Sequence, residues 1–277
     1  MIHAEGRFQT PKGANIYYQH WQAEDTPKAI LFVVHGLAEH SGRYMNLVNY
    51  FVPRGYAVYG LDHIGHGKSD GARVYLERFS DFIEPLKTYF DMIQGWQPGK
   101  PVFLVGHSMG GLIGSVYLLE HQDELKGAVL SAPAVKVSDN ISPATIFLGK
   151  ILSGILPRTG LLALDAATIS KDKAVVDAYL NDPLVYTGKV TARLAAEMLS
   201  AMQRVTAEAT TIRLPILLLQ GSADRLVDPG GANMLHQKAS TSDKTLKVYD
   251  GLYHEVFNEP EREQVLKDVE TWLEAHL

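Results

Sequence analysis

The chain has 277 residues, 46% of them hydrophobic, with no cysteine and a formal net charge of −5. This length suits one α/β domain with an insertion and an ample core, and the lack of thiols excludes disulfides, zinc–thiolate sites and a cysteine nucleophile. The mild acidity and absence of a basic run argue against nucleic-acid binding, and no apolar run reaches membrane-spanning length.

From the N-terminus, residues 1–8 lack the basic-then-apolar pattern of a secretion signal, so the expected location is the cytoplasm. Residues 15–21 read as an early antiparallel strand and residues 29–34 as a buried one. After the latter comes His35-Gly36-Leu37-Ala38-Glu39-His40-Ser41-Gly42-Arg43-Tyr44. A His-Gly pair at this place sets a backbone N–H above a nucleophile, and the amides of Leu37 and Met109 are the expected oxyanion donors.

The strand over 57–62 leads into Asp62-His63-Ile64-Gly65-His66-Gly67-Lys68-Ser69. A phosphate-binding loop would need its first glycine where Asp62 stands, so that motif fails. His63 and His66 lack a third metal ligand at a persuasive spacing, and a tight turn beside the active site is the better reading. A helical pattern follows over 79–96.

Residues 102–105 form an apolar run ending in Gly106-His107-Ser108-Met109-Gly110-Gly111, with a helical pattern beyond. Gly-x-Ser-x-Gly between a strand and a helix is a nucleophile elbow, which lifts the Ser108 hydroxyl clear of the backbone. The helix start supplies N–H groups and a positive dipole end to an oxyanion formed there. His107 is the variable position of the elbow, expected to pack or hydrogen-bond locally.

A further strand over 127–131 is followed by about 80 residues before the next strand at 214–220, whereas a simple crossover needs roughly a dozen. Residues 134–210 are therefore an insertion, expected to form a helical cap over a core of 1–133 and 211–277. Its first part is apolar at helical spacing, with Ala144, Phe147, Leu148, Ile151, Leu152 and Ile155 in one stripe and Lys150 the only charge. Either the stripe packs on the core, or it lines an acyl channel and touches a membrane as an interfacial helix does. Residues 190–207 read as a second cap helix whose Met198 and Met202 serve packing. Asn140-Ile141-Ser142 fits a glycosylation acceptor, a cheap match.

The strand at 214–220 runs into Gly221-Ser222-Ala223-Asp224, with Asp228 in the same loop. The next strand, near 246–250, precedes Tyr253-His254. In α/β-hydrolases the triad acid and then the histidine follow the serine along the chain. His254 is the expected base and Asp224 its orienting acid. Asp228 is the competing acid, and Asp250 is expected to cap its turn. His121, His236 and His276 read as surface residues. Residues 261–275 close the chain with a helix that packs Val265, Val269, Trp272 and Leu273 on the sheet. The alternation of strands and helices means a mostly parallel sheet covered on both faces.

The runs His35-Gly-x-x-Glu39-His-Ser-Gly-Arg43-Tyr44, Asp62-His-x-Gly-His-Gly-x-Ser69, Gly106-His-Ser-Met-Gly-Gly111, Gly221-Ser-Ala-Asp-Arg-Leu226 and Tyr253-His254 resemble the monoacylglycerol lipases and lysophospholipases. The likeness is weakest between about 134 and 210. It implies an α/β-hydrolase fold with an eight-stranded, mostly parallel sheet and an inserted cap. It also implies Ser108, Asp224 and His254 as the triad, choosing Asp224 over Asp228, with oxyanion amides at Leu37 and Met109. Glu39, Arg43 and Tyr179 would hold the glycerol, while Ile141, Phe147, Leu148 and Ile151 of the cap would meet the acyl chain. The mammalian members carry cysteines around the pocket, where this chain has Val227, and a second histidine where it has Phe257.

The expected function is therefore hydrolysis of monoacylglycerols, a small lipid ester, to fatty acid and glycerol. It would use an acyl-serine intermediate and no cofactor or metal, with transient membrane or micelle contact through the cap. A general carboxylesterase or lysophospholipase is the nearest rival. A non-catalytic ligand receptor of the same fold is disfavoured by the complete set of Ser, Asp and His. Epoxide hydrolases and dehalogenases are disfavoured because they carry aspartate at the elbow.

Overall fold

The computed structural model describes residues 1–137, 149 and 151–277. Strands β1 (Ile2–Gln9), β2 (Asn15–Gln22), β3 (Ala29–Val34), β4 (Tyr56–Leu61), β5 (Val102–His107), β6 (Gly127–Ser131), β9 (Ile216–Gly221) and β10 (Lys244–Tyr249) form one sheet. Their order is β1-β2-β4-β3-β5-β6-β9-β10. Only the β1–β2 and β2–β4 pairs are antiparallel; every other pairing is parallel.

The inner strands are buried along their whole length because helices cover both faces. Successive side chains point to opposite faces. Ile30, Phe32 and Val34 of β3 thus pack with α2 (Ser80–Trp96) and α3 (Met109–His121), while Leu31 and Val33 pack with α1 (Met45–Phe51) and the C-terminal helix α7 (Arg262–Glu274). The edge strand β1 alternates exposed and half-buried residues, and this mixed pattern left it unseen in the sequence.

Between β6 and β9 the described residues include a helical stretch at 149 and 151–155, α4 (Lys173–Asn181) and α5 (Ala192–Glu208). They also include a small antiparallel ribbon of β7 (Gly160–Ala163) and β8 (Lys189–Thr191), so this segment is not purely helical. The α5 start is fixed by Thr191, whose side chain accepts from Leu194 N and donates to Val74 O at 2.7 Å. α6 (Gly230–Lys238) follows β9. Among the described residues no helix is long and apolar enough to cross a membrane.

Candidate active site

Ser108, Asp224 and His254 each lie just past the C-terminal end of a parallel strand, on the edge where open α/β sheets place their sites. Ser108 sits between β5 and α3 at φ 57°, ψ −119°, a backbone state that a non-glycine residue holds only when its surroundings enforce it. Here Ser108 N donates to Ser131 O at 3.0 Å, and Ser108 O accepts from Leu112 N and Ala134 N. The turn is sharp enough that a Cβ on Gly110 would come within 1.9 Å of Val34 O.

His254 Nδ1 donates to Asp224 Oδ2 at 2.8 Å, and both residues are buried. Asp224 also accepts from Gln220 Nε2 at 3.0 Å, Leu226 N at 2.9 Å and Val227 N at 3.2 Å. Burial works against its charge, but the His254 contact and these amides outweigh it and hold the carboxyl below its ordinary value. Asp228 is engaged elsewhere, in an ion pair with Lys136 at 2.9 Å and as acceptor from Gly230 N. Asp250 accepts from Ser222 Oγ, a side-chain contact instead of the expected cap.

Ser108 and His254 line one cavity of about 230 Å³ together with Gly36, Leu37 and Met109. No hydrogen bond joins Ser108 Oγ to His254 among the described residues. The Met109 amide opens α3 and so has no acceptor within its helix. The Leu37 loop is braced by Glu39, whose Oε1 accepts from Gly36 N at 2.6 Å and from Tyr44 Oη at 2.8 Å. His35 Nε2 accepts from His63 N, so its proton is on Nδ1, which donates to Gly36 O at 2.8 Å. The rings of His63 and His66 pack on Phe82, and Asp62 ties the loop together by accepting from Ser41 and from Lys68 N.

At one end of the cavity Arg43 Nη1 donates to Glu39 Oε2 and to Glu255 Oε1, each at 2.7 Å, and Nη2 donates to Glu255 Oε2 at 2.8 Å. The ring of Tyr179 covers the guanidinium at 4.7 Å. Burial opposes the Glu255 charge, yet Arg43 keeps its carboxyl below the usual value. Sequence reasoning brought Glu39, Arg43 and Tyr179 here but missed Glu255, which reads as an ordinary carboxylate after His254. His107 stacks obliquely on His254, ring centroids 4.7 Å apart, and bonds to Ser131 Oγ.

Leu164, Ile169, Met198 and Met202 form the apolar walls, so the two methionines of α5 line the cavity as well as pack. Ile151 stands apart from that lining and is 43% exposed; its helix buries Ser153 instead, turning Ile151 and Ile155 outward. Ile141, Phe147 and Leu148 lie outside the described residues, as do Ala144, Lys150 and Asn140-Ile141-Ser142. The supposed surface histidines His121, His236 and His276 are all half-buried, and His276 is bonded to Trp272 O and Asp243.

This sheet with its loop-borne residues defines an α/β-hydrolase. Residues 25–261 match the family described as serine aminopeptidase, S33. The chain is 39% identical over 274 residues to a monoacylglycerol lipase of Mycolicibacterium smegmatis, covering 99% of this chain and 98% of that protein. It is 36% identical over 276 residues to the monoglyceride lipase of Homo sapiens, with 99% and 89% covered. The solved monoacylglycerol lipase of Paleococcus ferrophilus matches it over 100% of both chains, with a TM-score of 0.83 and 31% identity. The chain belongs to the monoacylglycerol lipase group within this α/β-hydrolase family and is a carboxylic ester hydrolase.

Proposed function

We propose that the protein hydrolyses monoacylglycerols to fatty acid and glycerol, with Ser108 as nucleophile, His254 as base and Asp224 as its orienting acid. The carrying observation is the 2.8 Å bond from His254 to Asp224, His254 lining the same cavity as the Ser108 elbow. Ser108 Oγ attacks the ester carbonyl while His254 takes its proton, and Asp224 stabilises the resulting imidazolium. The amides of Leu37 and Met109 receive the developing oxyanion, each donor worth roughly 10²–10³ in rate. His254 then protonates the departing glycerol, and water repeats the attack on the acyl-serine.

The acyl chain lies along the apolar walls and the alcohol faces Glu39, Arg43 and Tyr179. Residues 134–210 act as a cap over a core of 1–133 and 211–277. The exposed Ile151, Ile155, Leu156, Leu161 and Leu162 on this segment support transient contact with a lipid surface. The names of the relatives support the choice of substrate.

The test is fatty-acid release from monoacylglycerols of several chain lengths, diacyl and triacyl analogues, a lysophospholipid and a short nitrophenyl ester. Turnover concentrated on monoacylglycerols and abolished by Ser108→Ala is the expected result. Turnover of the short activated ester alone refutes the substrate assignment, and full activity of Ser108→Ala refutes the mechanism.

A further inference from the structure

Glu255 has no part in the acyl transfer above, yet it is 5% exposed and lines the cavity beside His254. Its position is well held: Oε2 accepts from Asn258 Nδ2 at 2.8 Å, and Asn258 Oδ1 accepts from Asn46. The space behind Glu39, Arg43 and Glu255 is only about 10 Å³, so these residues form an end wall.

A lone guanidinium in such a wall would be a receptor for phosphate, which it grips through paired N–H donors. Here Nη1 already serves both carboxylates, Nη2 serves Glu255, and Tyr179 covers the flat face. Two carboxylates surround one cation. The other lining cation, Lys136, is matched by Asp228, so the charge excess at the wall stays negative.

We infer that Glu255 sets a charge rule for the alcohol: by occupying Arg43 together with Glu39, it admits esters of neutral alcohols and rejects those whose alcohol carries a phosphate. This rests on the alcohol facing the Glu39–Arg43 wall, as proposed above.

The test uses two non-hydrolysable ethers, 1-O-decylglycerol and its 3-phosphate, as inhibitors of nitrophenyl butyrate hydrolysis. In the native enzyme the neutral ether should bind at least about tenfold more tightly, a modest value for one unit of charge in a partly desolvated site. Glu255→Gln should close most of that gap through tighter binding of the phosphate, while Glu255→Asp, which keeps the charge, should preserve it. An unchanged gap in an active Glu255→Gln enzyme overturns the inference, as does equal closure by Glu255→Asp, which would mean shape and not charge. If Glu255→Gln does not fold, Glu39→Gln removes the same unit of charge from the other side of Arg43 and must shift the ratio the same way; no shift is refutation.

Monoacylglycerol turnover without a charge gap sinks this rule alone. Failure of the native enzyme to cleave monoacylglycerols while it cleaves nitrophenyl butyrate sinks the substrate assignment, and the ether ratio still reads the wall.

Discussion

The amide of Glu255 donates to the carbonyl of Ile169 at 2.8 Å, so the residue after His254 is joined by backbone to the segment above the cavity. A matching bond runs from Tyr186 N to Ala38 O at 2.9 Å, on the Leu37 side. The segment between β6 and β9 is thus pinned to both loops that flank Ser108.

A removable side-chain tie beside these backbone bonds is His40 Nε2 bonded to Asp182 Oδ2 at 2.9 Å. Asp182 also accepts from Leu184 N and so orders the approach to Tyr186. Asp182→Ala should cost about 1 kcal/mol locally, since the aspartate is partly solvated. The expected reading is faster amide exchange at 182–187 and a few-fold higher KM for acylglycerols, with nitrophenyl kcat unchanged. Unaltered exchange there would show that the backbone bonds alone hold the segment.

Replacing Asp224 by Asn keeps the shape but lets the amide support the wrong tautomer of His254. A loss of about 10³–10⁴ in kcat with little change in KM is expected. Asp228→Asn should leave kcat within a few-fold, because that carboxylate serves Lys136 and the start of α6. Since the Asp224 carboxyl is held below its ordinary value, its stabilising charge is complete above that ordinary value and is lost only as pH falls through the lowered one. Asp224 therefore stays ionised, and able to orient His254, until pH falls below the ordinary carboxylate range. Equal losses in the two variants would undo the assignment.

The elbow was legible in the sequence because glycine spacing, strand length and helical pattern coincide within residues 102–121, where the physics is local. The same holds for β3, β4 and β9, whose unbroken apolar runs mark buried strands. What escaped depends on distance or on solvent. Glu255 acquires its meaning from Arg43, 212 residues away. β7 exposes every residue, so no burial pattern reveals it. In the helical stretch at 151–155 the apolar spacing was visible but its direction was not, because Ile151 and Ile155 face outward while Ser153 faces in.

Acid should destabilise the fold once pH falls below the ordinary histidine value. Burial lowers His35 and His107 to about 4 and His66 to about 3, and drives His63 well below its ordinary value. The unfolded chain takes up these protons near pH 6.5, so the stability contribution is full above that pH and is lost as pH falls toward the folded values. Each such histidine removes up to about 1.4 kcal/mol per pH unit below about 6.5. Urea midpoints at pH 8.5, 7.5 and 5.5 should hold nearly steady over the first interval and drop over the second. A midpoint unchanged at pH 5.5 would show that these rings are charged in the fold.

The outward apolar side chains of the segment between β6 and β9 make the last prediction. Ile155 is 72% and Leu162 70% exposed, and neither lines the cavity or belongs to a core cluster. Changing both to Ser should therefore leave folding nearly untouched. Full burial of each side chain is worth about 1.5–3 kcal/mol, so partial immersion of the pair corresponds to a tenfold or greater loss of affinity for phosphatidylcholine vesicles. Nitrophenyl butyrate hydrolysis in solution should stay within about twofold of the native rate. Vesicle co-sedimentation decides the matter: undiminished binding by the double variant would place the lipid contact on another face, whereas loss of binding with intact turnover would separate lipid docking from acyl transfer.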